Sequence, residues 1–130
     1  MSGIGQMLWI KPSGSSPPGT FLSLPGGSNT SGAISYDNGV TFTPITLPTL
    51  PGGYTWNSGV WNGSVFCILA LDGSSPPNFF TAISSDGVSW TTGSIYACPT
   101  APNYPLLLWS GSFFLIDSVS ITSIDGLHWS

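Results

Sequence analysis

Three stretches of this chain share one hydrophobic pattern: a glycine, a polar residue, then four apolar residues closing on isoleucine. They are Gly5-Gln6-Met7-Leu8-Trp9-Ile10, Gly63-Ser64-Val65-Phe66-Cys67-Ile68 and Gly111-Ser112-Phe113-Phe114-Leu115-Ile116. A continuous apolar run this short fits a strand covered on both faces. No segment reads as a helix, and the 17 Gly and 12 Pro favour short strands joined by tight turns.

The middle of the chain gives the clearest set of elements. Ser58 to Trp61 reads as a strand, Asn62-Gly63 as a two-residue type I′ turn with positive φ at both positions, and Ser64 to Leu71 as the returning strand. The loop Asp72 to Pro77 follows, then a strand over Asn78 to Ser84, an Asp-Gly turn, and a strand over Val88 to Gly93. The last stretch copies this plan: Leu106 to Trp109, the turn Ser110-Gly111, Ser112 to Asp117, Ser118 to Ser123, a second turn, and His128 to Ser130. Aligned through its apolar run as a second strand, the first stretch keeps only Met1 to Ile4 for an opening strand and is expected to be truncated. Its Gly/Ser/Pro loops are Pro12 to Gly19 and Pro25 to Gly32. In this alignment Gly-Ser-Ser-Pro-Pro, at 14–18 and again at 73–77, falls between second and third strands both times.

One turn is written three times: Ser35-Tyr36-Asp37-Asn38-Gly39-Val40-Thr41-Phe42, Ser84-Ser85-Asp86-Gly87-Val88-Ser89-Trp90 and Ser123-Ile124-Asp125-Gly126-Leu127-His128-Trp129. Recurrence of this kind marks a repeat architecture, here one domain over 1–130 with repeats at about 1–50, 54–97 and 103–130. A short Asp side chain accepts from backbone N–H groups two residues on, and Gly supplies positive φ without steric cost. The closing Phe42, Trp90 or Trp129 then covers the hairpin with apolar surface.

The copy at 35–42 resembles the Asp-box, Ser-x-Asp-x-Gly-x-Thr-Trp, with Phe42 in place of the Trp. The other two are similar to the one-residue-shorter Ser-x-Asp-Gly-x-x-Trp form of bacterial and phage propeller-like repeats. The resemblance implies an all-β fold of about three antiparallel four-stranded propeller-like blades, the terminal ones incomplete, with the box joining the third and fourth strands of each. A β-sandwich or barrel built from the same hairpins is the alternative. Ser35, Asp37, Gly39, Phe42, Ser84, Asp86, Gly87, Trp90, Ser123, Asp125, Gly126 and Trp129 are then structural turn residues. Propellers usually need 4–8 blades, so about three leave an open edge and a half-covered face. The partner this implies is a copy of the chain itself or a larger assembly such as a viral shell.

Composition narrows the functions. With 41% hydrophobic and 5% charged residues, disorder is excluded. Lys11 is the only Lys or Arg, against five Asp and no Glu, so no basic patch exists to bind nucleic acid or an anionic membrane. The N-terminus does not read as a secretory signal. The longest apolar run, Val65 to Leu71, is far short of the roughly 20 residues a spanning helix needs. Cys67 sits inside that run and reads as a small buried hydrophobe rather than the disulfide partner of Cys98.

The chemistry expected of an enzyme is missing from the pattern. Sialidases with Asp-boxes grip their substrate through an arginine triad, and this chain has no Arg. A glycosidase needs two carboxyl groups roughly 5–9.5 Å apart. Outside the turns only Asp72 and Asp117 remain, both placed to cap loops. His128, the sole histidine, has no nucleophile signature, and one His with two distant Cys makes no zinc site. No glycine loop leads into a helix to hold phosphate. No enzyme activity, metal or cofactor is expected.

Binding has better candidates. Tyr54, Trp56, Trp61 and Trp109 are candidate ligand or partner contacts; Trp61 and Trp109 precede turns and favour core packing, whereas Tyr54 and Trp56, after Pro51-Gly52-Gly53, are the better placed. The acceptor patterns at Asn29 and Asn62 are read as chance rather than glycosylation sites. The leading expectation is a non-enzymatic structural or decoration protein of a phage virion, on the capsid surface or tail, passing through the host cytoplasm during assembly. A small oligomeric lectin that binds glycans between blades is the runner-up, and a piece of a longer propeller the third reading.

Overall fold

The computed structural model describes residues 8–10, 19–100, 105–117 and 119–130, and the only regular elements among them are β-strands. The first sheet orders β1 (Leu8–Ile10), β2 (Phe21–Leu24), β3 (Ser31–Ser35) and β4 (Thr43–Thr46) as they follow in sequence. The second orders β5 (Thr55–Trp61), β6 (Phe66–Leu71), β7 (Asn78–Ser84) and β8 (Thr91–Thr92), with β9 (Tyr96–Ala97) also paired to β7. The third contains β10 (Leu107–Trp109), β11 (Phe114–Ile116) and β12 (Ile121–Ser123). Every pairing is antiparallel and no sheet closes into a barrel. Beyond β12, Thr122 and Ser130 exchange two backbone bonds at 3.1 Å, so Ser130 stands in the fourth-strand position.

Register shows how the sheets correspond. The residue opposite the turn serine is a phenylalanine in all three: Phe21 faces Ser35, Phe66 faces Ser84, and Phe114 faces Ser123. This corrects the expected alignment of the first repeat. Leu8–Ile10 is a first strand, and Phe21–Leu24 is the second. Polar Ser23 interrupts the apolar run and hides the match, yet it is only 2% exposed and pairs with Ala33. The marker that survives is a glycine shortly before that phenylalanine, two residues earlier than Phe21 and three earlier than Phe66 and Phe114. Gly19, Gly63 and Gly111 all hold positive φ, at 83°, 101° and 100°.

The first repeat therefore has four strands and is not truncated. In sequence the pentapeptide at 14–18 falls between the first and second strands, not in the same place as the copy at 73–77, which falls between the second and third. Residues 1–7 and 11–18 lie outside the described residues, and with them Met1 to Ile4 and Lys11.

The Asn62-Gly63 turn also differs from expectation. Trp61 pairs with Phe66, leaving a loop of residues 62–65 in which only Gly63 has positive φ. Asn62 closes it with its side chain: Oδ1 accepts the N–H groups of Ser64 and Val65, both at 2.8 Å, while its own N–H donates to the Val65 carbonyl at 3.1 Å. Ser110 does the same with its hydroxyl, accepting from Ser112 at 3.2 Å and Phe113 at 3.1 Å. A local side-chain acceptor replaces the second positive-φ residue.

The core is divided by the second sheet. Strand alternation sends Phe66, Ile68, Ala70, Phe80 and Ala82 to one face, where they join Leu22, Leu24, Ile34, Ile45 and Leu47 of the first repeat. Cys67, Leu69 and Phe79 point the other way and join Leu107, Phe114, Ile116 and Ile121 of the third. Both clusters are buried, so β6 is apolar at every position, as a strand covered on two sides must be. Within the described residues neither cluster joins the first sheet to the third. Cys67 and Cys98 are free and buried, and burial pushes both thiols above their usual range.

Candidate functional site: three turns and the faces they join

Each Ser-x-Asp turn is built by one circuit. The hydroxyl of Ser35, Ser84 or Ser123 donates to Oδ1 of Asp37, Asp86 or Asp125 at 2.8, 2.9 and 3.0 Å. The same serine Oγ accepts the N–H of Gly39, Gly87 or Gly126, at 2.8 Å in every copy. Those glycines hold φ of 82°, 78° and 82°, the left-handed region that favours a residue without a Cβ. The first turn is one residue longer and places Asn38 at positive φ as well, with its N–H donating to the Gly19 carbonyl at 2.9 Å.

The carboxylates are occupied by their own turns. Asp86 Oδ1 accepts from Val88 and Ser89, and Asp125 Oδ1 from Leu127 and His128, all within 2.8–2.9 Å. Asp37 accepts the Thr41 N–H at 2.9 Å and the Thr41 hydroxyl at 2.5 Å. These bonds favour the ionised form. The Thr41 hydroxyl, then its N–H and the Ser35 hydroxyl, hold Asp37 at about 2. The Ser89 and Val88 N–H groups hold Asp86 low. Burial opposes ionisation of Asp125, but bonds from the His128 N–H and ring, the Leu127 N–H and the Ser123 hydroxyl outweigh it and leave the carboxyl well below the usual range.

His128 Nδ1 lies 2.6 Å from Asp125 Oδ2, which looks like half of a catalytic triad. Position argues otherwise. His128 occupies the place of Thr41 in the first turn, and both side chains do the same work, closing on Oδ2 of the turn aspartate. The Ser123 hydroxyl beside them is committed to Asp125 and Gly126. A cleft of about 390 Å³ opens here, lined by Thr122, Ser123, Ile124, Asp125, His128 and Ser130. Among the described residues no three His, Cys, Asp or Glu side chains come together to hold a metal, and no helix is long and apolar enough to cross a membrane.

Asp72 is equally committed. Its Oδ1 accepts from the Ser74 N–H and hydroxyl and the Asn78 N–H, and its Oδ2 from the Asn78 amide at 2.8 Å. The Ser74 hydroxyl, then the Asn78 side chain, hold it far below the normal carboxylate range. Asn29 likewise spends its Oδ1 on the Ser31 N–H.

The aromatic candidates go to the core. Tyr54 and Trp56 are only 6% and 5% exposed, Tyr54 edge-on to Phe80 and Trp56 tilted against it, and the Trp56 indole donates to the Asn29 carbonyl at 3.2 Å. These two residues, expected to face a ligand or partner, are instead buried in the cluster shared by the first two sheets. Trp61 lies 4.7 Å from Phe66 at 58°, and Trp109 lies 4.8 Å from Phe114 at 57°, the same packing in successive sheets.

What the turns do, beyond folding themselves, is join sheets. A Cβ on Gly87 would stand 2.5 Å from Ile34, and one on Gly126 would stand 2.9 Å from Ile83. Ile34 and Ile83 are each the residue just before the turn serine of the preceding sheet. Gly87 and Gly126 thus each seat on the sheet before them. Thr81, fully buried in β7, adds a polar clamp: its hydroxyl donates to the Gly126 carbonyl at 2.5 Å and accepts the Trp129 indole N–H at 3.0 Å. Sequence reasoning did not single out Thr81, Ile34 or Ile83. Their signal was a fixed offset from the turn serine, three residues before it for Thr81 and one for the isoleucines.

The sequence was compared with models of known protein families and with curated proteins, and it matches none.

Proposed function

We propose that this chain is a non-enzymatic structural protein that works by assembly, as a decoration component of a phage virion on the capsid surface or tail. The observation that carries this reading is the seating of one sheet on the next through the same turn position, Gly87 on Ile34 and Gly126 on Ile83. A contact that repeats in one direction extends by adding units, while the polar groups of the turns are spent inside the turns themselves. We read the three sheets as propeller-like blades: apart from β9, strands run in sequence order across each, and the first strands β1 and β10 both lie against β5. The three Ser-x-Asp circuits support the resemblance to Asp-box repeats. The assignment to a virion rests on that resemblance and on the near absence of charge.

The test is to purify virus particles from a culture expressing the gene and to look for the chain by mass spectrometry and immunogold labelling. Its presence on intact particles is the expected result. Finding it only free in the lysate overturns the proposal, and specific glycan binding by that free protein moves the assignment to the lectin.

A further inference from the structure

We propose that the outer face of the third sheet receives the first Ser-x-Asp turn of a second copy of this chain, head to tail. The proposal rests on the assembly reading and names its partner and contact. Three register positions carry it. Leu22, Cys67 and Leu115 each lie opposite the residue before the turn serine. Leu22 and Cys67 are fully buried by the sheet that follows, whereas Leu115 is only half-buried. Val60 and Leu108 are a second matched pair, opposite Cys67 and Leu115. Val60 packs into the cluster shared with the third sheet, while Leu108 is 38% exposed. The third position is the seat itself: Thr122 stands where Ile34 and Ile83 hold a turn glycine, and the cleft beside it is open.

The matching plug is at the other end of the array. Gly87 and Gly126 each press on another sheet, but among the described residues a Cβ on Gly39 would meet only the ring of Phe42 in its own turn. The residue after the glycine is graded: Leu127 packs over Gly93 of the second sheet and is half-buried, Val88 is 50% exposed, and Val40 is the most open at 79%. A turn glycine with no seat and a seat with no turn glycine are the two halves of the contact made twice inside the chain. Such a heterologous contact repeats to form a closed ring or an open filament according to its rotation. With one Lys and five Asp in the chain, apolar fit rather than charge holds it.

Sedimentation velocity over a concentration series tests this, with Val40→Arg blocking the head and Leu108→Arg blocking the tail. Thr122→Arg is a second tail variant should Leu108→Arg lose its circular dichroism signature. The wild type is expected to self-associate and each variant alone to be monomeric with an unchanged spectrum. An equimolar mixture of head and tail variants is expected to restore a dimer, because one intact head meets one intact tail. A wild type that stays monomeric overturns the proposal. So does a head variant that associates like the wild type, which indicates two third sheets meeting face to face. A monomer that is nonetheless found on virus particles defeats this contact and leaves the assembly reading standing. Head-to-tail association by a chain absent from particles does the reverse.

Discussion

The Trp129 indole N–H donates to the Thr81 hydroxyl at 3.0 Å, tying the end of the third turn to the middle of the second sheet. The same hydroxyl donates onward to Gly126, so one side chain satisfies a buried donor and a buried acceptor of the neighbouring sheet. Thr81→Val keeps the shape and removes both bonds. The expected cost is about 1–3 kcal/mol. Urea unfolding checks it, and a double variant with Trp129→Phe should cost less than the sum of the two single changes because they share one bond.

The equivalent tryptophan of the second turn makes the contrast. Trp90 packs between the first two sheets, but its indole nitrogen is buried without a partner. Counting back three residues from Ser35, the place of Thr81 is taken by Gly32, which has no side chain to offer and stands within 3.1–3.2 Å of Leu47, Ser23 and Ile45 for any added Cβ. Trp90→Phe therefore removes an N–H that contributes nothing. It should destabilise the chain less than Trp129→Phe, by about 1–2 kcal/mol, as read from unfolding midpoints.

Turn glycines should separate by what they touch. Gly39→Ala, Gly87→Ala and Gly126→Ala all force a residue with a Cβ into positive φ, at about 1–2 kcal/mol each. Only the last two also drive a methyl into Ile34 or Ile83, which adds about 1–3 kcal/mol of overpacking. Thermal unfolding of the three variants should place Gly39→Ala nearest the wild type.

Acid should weaken the fold through its turns. Asp37 sits at about 2 in the folded chain against an ordinary value of 3.8, and Asp72, Asp86 and Asp125 are lowered too. A carboxyl with a depressed folded value binds fewer protons folded than unfolded, so its contribution is complete above the unfolded value and is lost as pH falls through the folded one. The urea midpoint should be flat above 3.8 and fall between there and about 2. Asp37→Asn should reduce that slope, and an unchanged slope would show that this carboxylate is not a source of it.

The turns, the all-β class and the strand Asn78–Ser84 were legible in the sequence because Gly, Asp and unbroken apolar runs carry local rules. The first sheet was not. Leu8-Trp9-Ile10 imitates a second strand, and Ser23 disguises the real one, since a small polar residue that pairs and packs in the interior is indistinguishable from a break when only hydrophobicity is read. Tyr54 and Trp56 were misjudged through their neighbours. Pro51-Gly52-Gly53 looks like a flexible arm, yet Tyr54 donates back to the Pro51 carbonyl at 3.2 Å and both rings turn inward. The seats at Ile34 and Ile83 depend on which sheet lies above which. No single strand encodes that.

The two-sided second sheet gives the chain the character of a short one-dimensional lattice. Peeling away either outer sheet uncovers one face of β6 and leaves the other closed over its cluster. Melting therefore enters from the ends, and the amides of β6 and β7 are the last to exchange. Stability in such a lattice belongs to the junctions more than to the sheets, so every unit gained at an end protects all those already joined.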